Sequence, residues 1–128
     1  MDDLFYTAAI LRERSDLLER HPTGVQLEHF LVQYDGKPVR SIGVVLTVEW
    51  VPPHGSARRL VVMARDEESG QVVQYLITPA LLATLPFGPA RSQFERWRKG
   101  QKVIVEGCLR WREIDATPIV EVSGVRYS

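Results

Sequence analysis

The chain is short of the groups on which covalent and metal chemistry rest. Its single cysteine, Cys108, rules out an intramolecular disulfide and reads as a small buried hydrophobe in mid-strand rather than a reactive thiol. A reduced, cytoplasmic setting is the expectation that follows. The three histidines, His21, His29 and His54, stand far apart and lack metal-ligand spacing, so neither a metal nor another cofactor is expected. There is no glycine-rich phosphate loop and no nucleophile elbow, and we read no enzyme. No apolar run approaches the roughly 18 residues that span a bilayer. The start, Met1-Asp2-Asp3-Leu4, lacks a basic region, so no membrane partner and no secretory signal are expected. A net charge is lacking too: 16 Lys and Arg balance 16 Asp and Glu. That balance counts against a domain that coats DNA by excess positive charge.

What is present fits one globular domain over residues 1–128, with 45% hydrophobic and 25% charged residues. No internal repeat or low-complexity segment divides it. The charge is unevenly placed. From Arg91 to Arg112 seven Arg and Lys stand against two Glu, and Arg58-Arg59 is basic, while Asp2-Asp3 and Asp66-Glu67-Glu68 are acidic. Arg far outnumbers Lys, which suits planar contacts to phosphate and base, although a GC-rich genome gives the same bias.

Along the chain, Leu4 to Arg14 is dense enough in apolar residues for a first strand, and the polar stretch from Ser15 ends in the turn signal His21-Pro22-Thr23-Gly24. Gln26 to Tyr34 alternates, with Phe30, Val32 and Tyr34 on one face, which predicts a half-buried strand. Ile42 to Val51 is β-rich, and Ile42, Val44, Leu46, Val48 and Trp50 share one parity. Arg59–Arg65 and Gln71–Thr78 flank Asp66-Glu67-Glu68-Ser69-Gly70 and read as a hairpin. Thr78-Pro79 opens a helix that ends by Leu85, and Ser92-Gln93-Phe94-Glu95 opens a second that Gly100 ends. A strand with a central glycine and a final strand then close the chain.

This helix–strand–strand ending is how the OB-fold finishes. The expected fold is all-β with one or two short helices: a five-stranded Greek-key barrel with its helix between the third and fourth strands and an inserted hairpin at Arg59–Thr78.

The order of pieces resembles the bacterial single-stranded-DNA-binding (SSB) family and the related primosomal replication protein N family. His21-Pro22-Thr23-Gly24-Val25 with His29-Phe30-Leu31-Val32 resembles the family's first hairpin, a turn leading to a strand with an inward Phe. Val48-Glu49-Trp50 resembles the end of its third strand, where a Trp often stacks on a base. Trp97-Arg98-Lys99-Gly100-Gln101-Lys102 through Leu109 resembles its helix end and fourth strand, and is the most specific of the three. The chain departs from the family in lacking a glycine in the first strand and in ending at Ser128, without the acidic tail that recruits repair partners. The resemblance therefore implies a tail-less relative.

The candidate nucleic-acid-binding residues are Trp50, Arg58, Arg59, Lys102, Arg110, Trp111 and Arg112. Exposed tryptophans would stack on bases, and the cations would meet phosphates. Against stacking, Trp50 shares the parity of Ile42–Val48, and Trp111 that of Val103, Val105 and Leu109, so strict alternation points both into the barrel. Trp97 beside Phe94 plugs the barrel bottom. Arg110 and Arg112 have the opposite parity and face outward. The expected function is largely sequence-independent binding of single-stranded DNA in replication, recombination or repair. Replication or repair proteins are possible partners, and self-association as a homodimer or homotetramer is expected. The rival reading is a protein-interaction or assembly module on the same fold, and a third is a small ligand-binding regulatory domain. Convergence of Arg58, Arg59, Lys102, Arg110 and Arg112 on one face would favour DNA, and scatter would favour the interaction module.

Overall fold

The computed structural model describes residues 5–52, 59–79, 81 and 97–126. Its elements are β1 (Phe5–Tyr6), α1 (Thr7–Glu19), α2 (Gly24–Tyr34), β2 (Pro38–Val51), β3 (Arg59–Asp66), β4 (Val72–Ile77), β5 (Lys102–Arg110) and β6 (Ile119–Arg126). The strands run β1-β2-β3-β4-β6-β5, and a further β2–β5 pairing closes β2 to β6 into a five-stranded barrel. All barrel neighbours are antiparallel except β4 and β6, which are parallel. The barrel is an OB-fold.

The count of five is the expected one, but different strands make it. Among the described residues of the stretch from Leu4 to Arg14 only Phe5–Tyr6 is a strand, which pairs in parallel with Val39 and Arg40 of β2. Helix α1 then takes over. Its buried residues are Thr7, Ala8, Ile10 and Leu11, with Leu17 packed against the core, which is helical spacing rather than alternation. Gln26 to Tyr34 is likewise helix, not strand. Thr23 caps α2: its side chain accepts from the Gln26 amide at 3.2 Å while the Gln26 side chain accepts from the Thr23 amide at 2.9 Å. Phe30 and Tyr34, four apart, are its buried residues. The inward Phe of the resemblance is thus a helical Phe.

Strand β2 opens the barrel and, besides β1, serves two barrel neighbours. Pro38–Val44 pairs with β5 and Gly43–Val51 with β3. A bulge between Val45 and Thr47 bends the strand and also switches its parity. Before the bulge Val39, Ser41, Gly43 and Val45 are buried and Ile42 and Val44 lie on the outer row; after it Val48 and Trp50 pack against the core. A single parity from Ile42 to Trp50 therefore does not hold.

The hairpin β3–β4 is the second and third barrel strands, not an insertion. Its turn is built by Asp66, whose Oδ1 accepts from the amides of Glu68 at 3.2 Å and Ser69 at 2.8 Å, with Gly70 at φ 74°. The helix start at Thr78 is present, since Leu81 N donates to Thr78 Oγ1 at 3.3 Å. The Ser92–Glu95 capping box and Phe94 lie outside the described residues. Trp97 is buried in the core, as its plugging role requires. Cys108 is half-buried on the outer row of β5 rather than in the core. No helix among the described residues is long and apolar enough to cross a membrane.

Candidate nucleic-acid interface

Along β3, Leu60, Val62, Ala64 and Asp66 are buried, so Arg59, Val61, Met63 and Arg65 form its outer row. Register places Leu76 beside Val61, Gln74 beside Met63 and Val72 beside Arg65. On the far side of β4, Ile119 of β6 lies beside Gln74 and Glu121 beside Leu76. The result is a largely apolar face, interrupted by Gln74 and bordered by Glu121, with an exposed guanidinium at each end of β3. Among the described residues neither Arg59 nor Arg65 has a carboxylate partner.

Other cations are neutralised where they stand. Arg40 donates to Glu106 at 2.6 Å across the β2–β5 ladder, Arg12 to Glu68 at 2.8 Å, and Arg110 to Glu121 at 2.9 Å, while Lys102 lies 3.1 Å from Glu67. The hydrogen bond to Glu121 raises the Arg110 pKa, and that to Glu106 raises the Arg40 pKa.

Beside the face runs the loop of residues 111–118, tied to β4 by Gln74 N donating to Pro118 O at 3.0 Å. A cleft of about 380 Å³ opens along it, lined by Arg110, Trp111, Arg112, Ala116, Thr117 and Ile119 among others. The Trp111 ring is only 2% exposed, edge-on to Phe30 at 5.6 Å, with its Nε1 donating to Ala116 O at 3.1 Å. It cannot be a stacking platform for bases in this arrangement. Helical residues that alternation did not reveal, Phe30 and Arg14, bury it. Arg112 is exposed and has no carboxylate partner among the described residues.

The six expected site residues that are described do not converge. Trp50 is half-buried against the core at the end of β2, next to Leu60 and Arg59 of β3. Arg58 lies outside the described residues. Lys102 and Arg110 are the first and last residues of β5, each tied to a glutamate. Arg59 stands on β3, with β2 between it and β5. Of the seven, Arg59 and Arg112 remain as exposed, unneutralised cations. Treating the hairpin as an insertion hides Arg65, Met63 and Leu76. The alternation of Arg59, Val61, Met63 and Arg65 against Leu60, Val62 and Ala64 was the signal that exposes them. Among the described residues no cluster of three or more His, Cys, Asp or Glu is placed to hold a metal ion.

No family model matches this chain, and no curated protein is similar to it in sequence. Its likenesses are to solved structures. A Klebsiella pneumoniae protein provisionally described as a nucleic acid-binding lipoprotein matches with a TM-score of 0.57 at 16% identity, over 93% of this chain and 87% of that one. Asparaginyl-tRNA synthetase from Pyrococcus horikoshii, complexed with asparaginyl-adenylate, matches with a TM-score of 0.54 at 22% identity over 73% of this chain. The structure of yeast Stn1 and Ten1 matches with a TM-score of 0.52 at 11% identity over 98% of this chain. The likeness is one of fold. This chain spans 19% of the synthetase chain and 62% of the yeast chain. It is to OB-fold proteins at large, and it does not single out the bacterial SSB family.

Proposed function

We propose that this protein binds single-stranded nucleic acid across the outer face of β3 and β4, between Arg59 and Arg65, with the loop of residues 111–118 at its border. The observation that carries the reading is the outer row of β3. Two exposed arginines without carboxylate partners among the described residues bracket Val61 and Met63, so phosphates can meet cations while sugars and bases lie on apolar side chains. The separation of Lys102, Arg110 and Arg112 from Arg59 removes the broader DNA-coating version of this idea. Sequence preference is low, because Gln74 is the one amide side chain on the described β3–β4 face and the rest of its middle is apolar. The structures it resembles support the reading, one being described as nucleic acid-binding. Single-stranded DNA in replication, recombination or repair is the finer form of the proposal, and the role is that of a binding module, not an enzyme.

A second reading rests on its own observation. Among the described residues no aromatic side chain stands on the β3–β4 face, and its half-buried Val61, Met63 and Leu76 with exposed Val72 suit a protein partner equally. Self-association is one form of this reading, and light scattering at tens of micromolar reads it out. The deciding experiment is a titration of fluorescent oligo-dT at two salt concentrations, with a duplex of equal length as competitor. Nucleic-acid binding predicts saturation at low salt, weakening with salt and preference for the single strand. No saturation at low salt gives the face to a protein partner.

A further inference from the structure

The two N-terminal helices are not part of the barrel, yet their side chains converge on one loop of it. The backbone N–H of Trp111 donates at 2.8 Å to Oδ1 of Asp35, the residue that ends α2. Phe30 of α2 meets the Trp111 ring edge-on, and the guanidinium of Arg14, on α1, lies 4.9 Å from its centroid. The same guanidinium donates to Ile114 O at 3.4 Å and, through its other terminal nitrogen, to the side-chain oxygen of Gln71. Gln71 in turn donates to Leu11 O at 3.1 Å and Ser15 Oγ at 2.9 Å of α1. Arg14 thus joins the loop of residues 111–118 to the turn between β3 and β4, the end of the face where Arg65 stands.

Within the loop, Trp111 Nε1 closes the chain onto Ala116 O, Ala116 N donates to Glu113 O at 3.1 Å, and Ile114 packs against the core. The loop also carries Arg112 and lines the cleft beside β4. A lysine in place of Arg14 could supply charge but not a planar group that stacks on an indole and donates from two corners.

From this geometry we infer that Arg14 is a positioning residue: it latches the loop of residues 111–118 in its binding shape without touching the ligand. The inference rests on the proposed nucleic-acid reading for its consequence, but the latch itself is a property of the free protein. A loop held in place beforehand owes less ordering entropy when the strand binds.

The test uses Arg14→Met, which keeps the aliphatic stem, and Arg14→Lys, read by amide hydrogen exchange and by oligo-dT titration. With the latch removed, amides of residues 112–117 should exchange about tenfold faster or more while the β5–β6 ladder is unchanged. Oligo-dT affinity should fall about five- to tenfold with the slope against salt intact, because Arg14 meets no phosphate. Arg14→Lys should recover only part of either effect. A salt slope reduced by about 0.7, the single-strand value for one phosphate, would make Arg14 a direct phosphate contact and overturn the inference. Unchanged exchange in the loop would overturn it as well. Should Arg14→Met unfold the domain, Arg14→Gln decides, since it keeps a polar end group but loses the planar cation over the indole and the reach to both Ile114 O and Gln71; the latch then predicts the same local loosening. If the unaltered protein binds no oligo-dT, the nucleic-acid reading falls, and the exchange result alone still decides the latch.

Discussion

Ser41 Oγ and Tyr75 Oη meet at 2.7 Å inside the closed barrel, where neither residue has any exposed surface. The two strands that carry them, β2 and β4, are not neighbours, so this hydroxyl pair spans the interior behind β3. Gly43 makes the room: a Cβ there would run into the Tyr75 hydroxyl and come within 3.1 Å of the Ala64 Cβ. A polar pair in an apolar barrel is tolerable only because each group satisfies the other.

Tyr75→Phe and Ser41→Ala should each destabilise the protein by about 1–3 kcal/mol, since each leaves a buried hydroxyl without its partner. The double substitution should cost less than the sum of the two, because it leaves neither hydroxyl orphaned. Urea denaturation of the four proteins measures the cycle. Gly43→Ala should be worse than an ordinary core Gly→Ala change, because its methyl displaces the Tyr75 ring.

A loss of stability at high pH should follow from two tyrosines. Burial, with Glu13 accepting the phenolic hydrogen bond, pushes Tyr34 up to about 12, and burial raises Tyr75 further. A raised pKa means that the folded chain keeps a proton the unfolded chain releases. Stability from these groups is therefore complete below pH 10, their ordinary value, and declines as the pH rises toward 12 and beyond. Urea midpoints at pH 8, 10 and 11 should be flat across the first interval and fall across the second. Tyr34→Phe should make the fall shallower, and an unchanged fall would refute the part assigned to Tyr34.

The end of the chain was legible because β5 obeys plain alternation and β6 follows it as far as the register shift after Val122, beyond which Val125 takes the inward parity. Trp97 was rightly placed in the core by its partnership with apolar neighbours. The start was not. Two short helices carry their apolar residues on narrow faces, and in a window as short as Gln26–Tyr34 alternation of Phe30, Val32 and Tyr34 imitates a strand. Yet Val32 is 71% exposed, and the decisive signal was the Thr23-x-x-Gln26 box just upstream. Once the N-terminal segment was counted as two strands, the true second and third strands became surplus, and the outer row of β3 went unread. The bulge at Val45–Thr47 was equally hidden, because no single residue announces a parity switch in a run of Val and Leu.

The tryptophans should separate by stability rather than by affinity. Trp111→Ala removes a fully packed indole and should cost about 3–5 kcal/mol. Trp50, half-buried against the core, should cost about 1–2 kcal/mol as Trp50→Ala, reflecting the smaller area it hides. Chemical denaturation reads both, and a larger loss at Trp50 than at Trp111 would contradict this packing.

Charge substitutions should sort by whether a cation is already neutralised. Arg110 spends its charge on Glu121, so Arg110→Ala removes both an attraction for phosphate and the partner that masks a carboxylate. The freed Glu121, beside Leu76, then weakens oligo-dT binding modestly by repulsion at the border of the face. Arg59 and Arg65 have no carboxylate partner among the described residues, so each alanine substitution should remove a phosphate contact directly. The slope of log affinity against log salt should then fall by about 0.7 for each, the value for single strands. Glu121→Gln supplies the opposite sign: with Arg110 released, binding should tighten and the slope steepen. Titrations at three salt concentrations on these four variants distinguish the patterns. Equal slopes for Arg59→Ala, Arg65→Ala and the unaltered protein would place the strand elsewhere on the barrel.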